Sequence, residues 1–152
     1  MKYISTALLL IAFTACKKTV TQDTAYQETT QTTEEEVPAT TLLNDIWVLE
    51  SINNIPVDKS TYTELPYVEF HINENKVMGF SGCNRFNGTF SANDAKGIEV
   101  KQLMSTKKAC VPPVNENEFL QLLQGSDNFD IREGKLFLYQ EKDINLIFKK
   151  VD

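Results

Sequence analysis

The stretch YVEFHINENKVMGFSGCNRFNGTF, residues 67–90, decides the fold class. Val68, Phe70 and Ile72 alternate with Glu69 and His71, the period-2 pattern of a strand with one buried face. Asn73, Glu74 and Asn75 turn the chain. Val77 then opposes Met78 and Phe80 on a returning strand. After GFSGCN, a third strand over residues 85–91 carries Phe86 and Phe90 on one face. Two consecutive antiparallel hairpins within so few residues point to an all-antiparallel sheet.

Working outward, the same alternation recurs. Residues 46–52 (IWVLESI) read as a first strand with Trp47 and Leu49 inward, and Asn53-Asn54 as its turn. Asn93, Asp94 and Gly97 end the third strand of the opening stretch, and Ile98, Val100 and Leu103 mark another. Residues 129–132, 135–140 and 144–150 resume the strand pattern, with Ile144, Leu146 and Phe148 on one face of the last. The period changes once. Residues 115–124 (NENEFLQLLQ) place Phe119, Leu120, Leu122 and Leu123 at helical spacing. Asn115 and Glu118 resemble a capping box, Gly125 is placed to end the helix in a left-handed turn, and Pro112 and Pro113 keep the preceding chain extended. Seven or eight short antiparallel strands with one amphipathic helix make a mainly β, α+β fold. Such a meander hides its edges by curling into a barrel or half-barrel, with the helix covering the open side.

The chain upstream is of another kind. Lys2 precedes an apolar run over residues 4–15, shorter than the about 20 residues that span a bilayer and of signal-peptide length. It ends in Phe13-Thr14-Ala15-Cys16, which resembles the lipobox of bacterial lipoproteins, with Phe13 where Leu is usual. That resemblance implies a signal peptide over residues 1–15 and lipidation of Cys16; an ordinary secretory signal cut near Ala15, or a core helix, is the alternative. Residues 16–41 are rich in Thr and Gln, carry Glu34-Glu35-Glu36 and Pro38, and hold almost no apolar residues. A segment of that composition cannot offset its ordering entropy and is expected to be a disordered tether. Lys17 and Lys18 follow Cys16, with no adjacent aspartate to suggest inner-membrane retention. The expected address is the periplasmic face of the outer membrane.

Residues 42–152 suffice for one core. The net charge is −6, and removing Lys2 makes the chain more acidic still. Lys107, Lys108, Lys149 and Lys150 form scattered pairs rather than a basic patch, which speaks against a nucleic-acid partner. In an oxidising compartment Cys83 and Cys110 are expected to pair, closing a loop of about 28 residues at a gain of roughly 3–4 kcal/mol. Two free thiols packed as small apolar groups are the alternative.

The string GFSGCNRFNG (79–88), with Trp47 before it, TKKAC (106–110) after it and Leu136-Phe137-Leu138 near the end, resembles the META/HslJ family over about residues 43–150. Lys108 departs from the Met common at that position. The resemblance implies a lipocalin-like half-barrel with one helix and a loose association with heat or envelope stress. It implies no enzymatic reaction.

Read physically, Gly82 and Gly88 permit close backbone approach or positive φ, and Asn84 tolerates the left-handed region. One reading is a braced turn; the other makes Gly82, Asn84, Arg85 and Gly88 the rim of a binding cleft, with Arg85 as an anion anchor. His71, the lone histidine, falls opposite the apolar face, so Cys-His catalysis lacks its base. One His and two distant Cys do not make a zinc site, and the glycine pattern lacks the lysine of a phosphate loop. No metal, cofactor or catalytic residue is expected. Trp47, Phe70, Phe80, Phe86 and Phe90 read as core, a minority of them available to line a small apolar cavity. The expectation is a monomeric, non-enzymatic lipoprotein, held to the membrane by its lipid, that binds an envelope protein or ligand. The alternative is a carrier of a small apolar ligand or lipid in the barrel interior.

Overall fold

The structure is a computed structural model that describes residues 37–111 and 113–151. Cys16, the signal-type segment, most of the tether and Pro112 lie outside the described residues. One antiparallel sheet runs through β1 (Ile46–Ile52), β2 (Ile55–Pro56), β3 (Tyr67–His71), β4 (Lys76–Phe80), β5 (Arg85–Ala92), β6 (Ile98–Ser105), β7 (Asn128–Arg132), β8 (Lys135–Gln140) and β9 (Asp143–Lys150). The spatial order is β6-β5-β4-β3-β1-β9-β8-β7, with the two-residue β2 folded back on β1. This is the curled half-barrel expected from the strand pattern. Its two edge strands approach at one seam. Gly97 bridges Asn128, Ile98 N–H donates to the Asp127 carbonyl at 3.0 Å, and Phe129 N–H to that of Lys96 at 2.8 Å. The helix α2 (Glu116–Gly125) packs against β6, β8 and β9.

Inward side chains fill the barrel. Trp47, Leu49, Val68, Phe70, Val77, Phe86, Phe90, Val100, Leu136, Leu138, Leu146 and Phe148 are buried, and α2 adds Phe119 and Leu123. Phe119 meets Phe86 and Phe148 edge-on at centroid separations of 5.9 and 6.2 Å, an arrangement favoured by the ring quadrupoles. The alternation read from residues 67–90 continues through β4, where Val77 and Gly79 face in. Phe80, grouped with the core aromatics, follows its strand phase instead. It lies on the outer face, stacked on its cross-strand partner Tyr67 at 6.2 Å, because it is out of phase with Val77.

Four further differences have local causes. β3 stops at His71, and Ile72 begins a 3-10 turn ended by left-handed Asn75 (φ 52°). On β9 it is Asn145, not Ile144, that is buried beside Leu146, because a register shift between β8 and β9 inserts one residue. The Asn145 amide donates to the Leu122 carbonyl at 3.1 Å and so ties the last strand to α2. The helix does not end on a left-handed glycine: Gly125 stays helical, Ser126 turns extended, and the Ser126 hydroxyl donates to the Leu122 carbonyl at 2.8 Å. Finally, residues 39–41, the end of the expected tether, are helical. A short helix α1 (Ala39–Leu42) forms where Thr40 Oγ1 donates to Asp94 at 2.8 Å, and the buried Leu43 behind it takes the Trp47 indole N–H on its carbonyl at 3.0 Å. These partners are 54 and four residues away, so composition alone does not show them.

Candidate functional site

The 81–84 corner joins β4 to β5. Gly82 has φ +102°, and a Cβ there would sit 2.7 Å from the Tyr62 ring. Glycine is therefore required twice over, by conformation and by space. Asn84 is not left-handed; Gly82 takes that role. Gly88 meets a different need. It faces the bulge where β6 slips register, and a Cβ would lie 2.8 Å from the Lys101 carbonyl and from Leu103. It belongs to the β5–β6 packing, not to the corner.

With Gly82 turned this way, the backbone N–H groups of Cys83 and Asn84 point at one carboxylate, that of Glu116 in the first turn of α2. Glu116 Oε1 accepts from Asn84 N–H at 2.7 Å and from the buried Ser81 hydroxyl. Glu116 Oε2 accepts from Asn84 Nδ2 at 2.7 Å. Successive N–H groups of this kind form an anion-binding concavity, and here the anion is internal. Asn84 is 4% exposed and uses its other end as fully: Oδ1 accepts from Thr106 Oγ1 and from Lys108 N–H, both at 2.8 Å. The corner is thereby joined both to the segment after β6 and to α2. Burial pushes the Glu116 pKa up. Donation from Ser81, from the Asn84 side chain and from the N–H groups of Asn84 and Cys83 outweighs it and holds the carboxyl below its ordinary value.

Cys83 and Cys110 are joined in a disulfide that closes this same corner across 27 positions. Cys110 Sγ lies 3.3 Å from Glu116 Oε2. A disulfide sulfur carries no proton, so this is a contact and not a hydrogen bond. The two sulfurs and a Glu116 oxygen lie within 4.8 Å of one another, a grouping the spacing of cysteines and histidine did not indicate.

Of the four rim residues, Asn84 faces inward, Gly82 shapes the turn and Gly88 lies elsewhere. Arg85 is exposed, and its guanidinium donates to the Tyr67 hydroxyl at 3.3 Å. His71 lies on the outer face with Nε2 3.3 Å from Glu69. Ser81 and Glu116 were not singled out from sequence, and Thr106 was read only as part of the TKKAC motif. The acid in the first turn of a helix was a legible signal, but its partners 32 and 35 residues upstream were not. Beside the corner an open groove of about 220 Å³ is lined by Thr61, Thr63, Phe80, Cys83, Val111 and Val114, among others.

The curled antiparallel sheet, the covering helix and the braced glycine corner define a small lipocalin-like half-barrel domain. The chain matches the META domain over residues 40–152 and belongs to that family. No curated protein matches it significantly. Three solved structures share the fold. A protein solved by NMR is 27% identical, covering 76% of this chain and 96% of its own at a TM-score of 0.57. A Burkholderia xenovorans protein solved by NMR is 21% identical, covering 93% and 99% at 0.58. A DUF4847 family protein from Bacteroides vulgatus is 16% identical, covering 78% and 99% at 0.52.

Proposed function

We propose that this META domain is a non-enzymatic binding module of the cell envelope, lipid-anchored through Cys16 at the periplasmic face of the outer membrane, where it engages a protein partner in connection with envelope or heat stress. One observation carries the reading. The polar groups of the motif corner are spent on one another, and an open groove with exposed apolar Val111, 91% accessible, lies beside them. A catalytic constellation keeps a nucleophile or base directed at solvent or substrate; Glu116 and Asn84 are instead directed at each other. The carrier reading loses support because Trp47, Phe70, Phe86, Phe90 and Phe119 occupy the barrel interior.

The chain enters beside the 72–75 and 93–97 turns, where Thr40 binds Asp94 and Asn44 accepts from Ile72 N–H. The 81–84 corner sits at the other end of the five-residue β4, about 16 Å away at strand rise. The groove's corner and the first described residues thus lie at opposite ends of β4. Mild crosslinking of the native lipoprotein in its envelope, followed by purification, should recover a protein partner. Val111→Asp should lose that partner with its melting temperature unchanged. Recovery of an extractable lipid with no protein overturns the reading.

A further inference from the structure

The grouping of Cys83, Cys110 and Glu116 supports a second state of the corner. We propose that when the Cys83–Cys110 bond is reduced, these three side chains form a Zn²⁺ site of two thiolates and one carboxylate, so that either a disulfide or a metal clasps the corner.

The donor set suits zinc, which takes thiolate sulfur and carboxylate oxygen in tetrahedral geometry. Zn–S near 2.3 Å and Zn–O of about 2.1 Å require S···O separations of about 3.6 Å at the tetrahedral angle. Cys110 Sγ and Glu116 Oε2 already stand 3.3 Å apart, and the two sulfurs, held at bonding distance in the disulfide, separate to about 3.8 Å when reduced and bound to the metal. The ligands come from three segments that the fold has fixed: the β4–β5 corner, the segment after β6 and the first turn of α2. Glu116 is oriented by Ser81 and Asn84 through contacts that leave the sulfur-facing side of Oε2 uncommitted. Hydrogen-bonded support of a ligand is what a metal site needs beyond its ligands. Cys83 also lines the open groove, through which a reductant would approach and from which water would complete the coordination.

The chemistry balances with a dithiol as reductant. The dithiol gives up two electrons and two protons and becomes its own disulfide. The Cys83–Cys110 S–S bond breaks to two thiols. Zn²⁺ then displaces both thiol protons to solvent and takes an electron pair from each sulfur and from Glu116 Oε2. This inference does not depend on the tether or on the protein partner.

The test uses the full chain carrying Cys16→Ser, so that the third thiol contributes nothing, with Zn²⁺ and Co²⁺ as probes. After reduction, calorimetry should give one Zn²⁺ per chain, and Co²⁺ should develop thiolate-to-metal charge-transfer absorption. The oxidised chain should give neither. Cys83→Ser and Cys110→Ser should each abolish the charge-transfer signal. Glu116→Gln should weaken Zn²⁺ binding by at least the ~10-fold that follows loss of a supporting contact alone. Should that variant unfold, the cysteine variants still decide. Equal binding by oxidised and reduced chains, half-stoichiometric binding that bridges two chains, or no charge-transfer band after reduction overturns the proposal.

Discussion

Asn84 is the residue on which the corner turns. Asn84→Ala deletes the two bonds its amide donates, to Glu116 Oε2 and to the Lys108 carbonyl, and the two its oxygen accepts, from Thr106 Oγ1 and Lys108 N–H. Buried donors and acceptors left without partners, one of them a carboxylate, should cost about 3 kcal/mol. Urea unfolding should show a lower midpoint at unchanged slope, and a loss under 1 kcal/mol on the order of a surface change would show that the corner is not braced this way. Glu116 makes the same cluster pH-dependent. Its folded pKa lies below the unfolded value, so its contribution is complete above 4.5, the ordinary value, and is lost as the pH falls through the lower folded one. Acid titration of stability should therefore fall more steeply for the native chain than for Glu116→Gln, the two curves converging below that window. The residue types at this corner were visible in GFSGCNRFNG, but their partners were not. Glycine, asparagine and cysteine announce a special turn, whereas nothing in residues 79–88 points to an acid on a helix that starts at position 116.

At the scale of elements, α2 shows where local rules hold and where they yield. Its start follows them: the Asn115 side chain accepts from Glu118 N–H, and its amide donates to the Glu118 carboxylate at 2.7 Å. Its end does not, because Ser126 supplies the stop that Gly125 was expected to give. Gly125→Ala should accordingly raise stability by about 0.5–1 kcal/mol in a melt, since the backbone is helical and the new methyl meets only the Gln140 side chain, at 3.4 Å. Gly82→Ala should do the reverse, because both its φ and the Tyr62 ring oppose a side chain. The pair separates a glycine retained for no conformational reason from one the fold requires.

At the scale of the whole molecule, the disulfide and the filled barrel matter most. Reducing Cys83–Cys110 in the absence of metal should lower stability by roughly 3–4 kcal/mol, the chain-entropy cost of reopening a loop of this length. Comparing denaturant midpoints with and without reductant checks it. The seam between β6 and β7 is the less cooperative part of the barrel. Among the described residues its main-chain pairing centres on one bridge and two flanking bonds, supported by the Lys96–Asp130 ion pair. Hydrogen exchange should be faster there than across β3, β4 and β5, whose register pairs run the length of β4.

The sequence alone determined the strands, the helix and most of the core, because period and turn chemistry are local and residues 67–90 state both repeatedly. It also carried the family, through a motif whose residue types are constrained by the turn they make. Tertiary structure alone decided that Asn145 is buried in place of Ile144, that residues 39–42 form a helix, and above all what the motif's side chains bind. The 81–84 corner forms a seat for an anion, and the anion is the chain's own Glu116, 32 residues beyond Asn84. Contacts across that distance are fixed by the closing of the sheet and the docking of α2, and no local pattern in the chain encodes them.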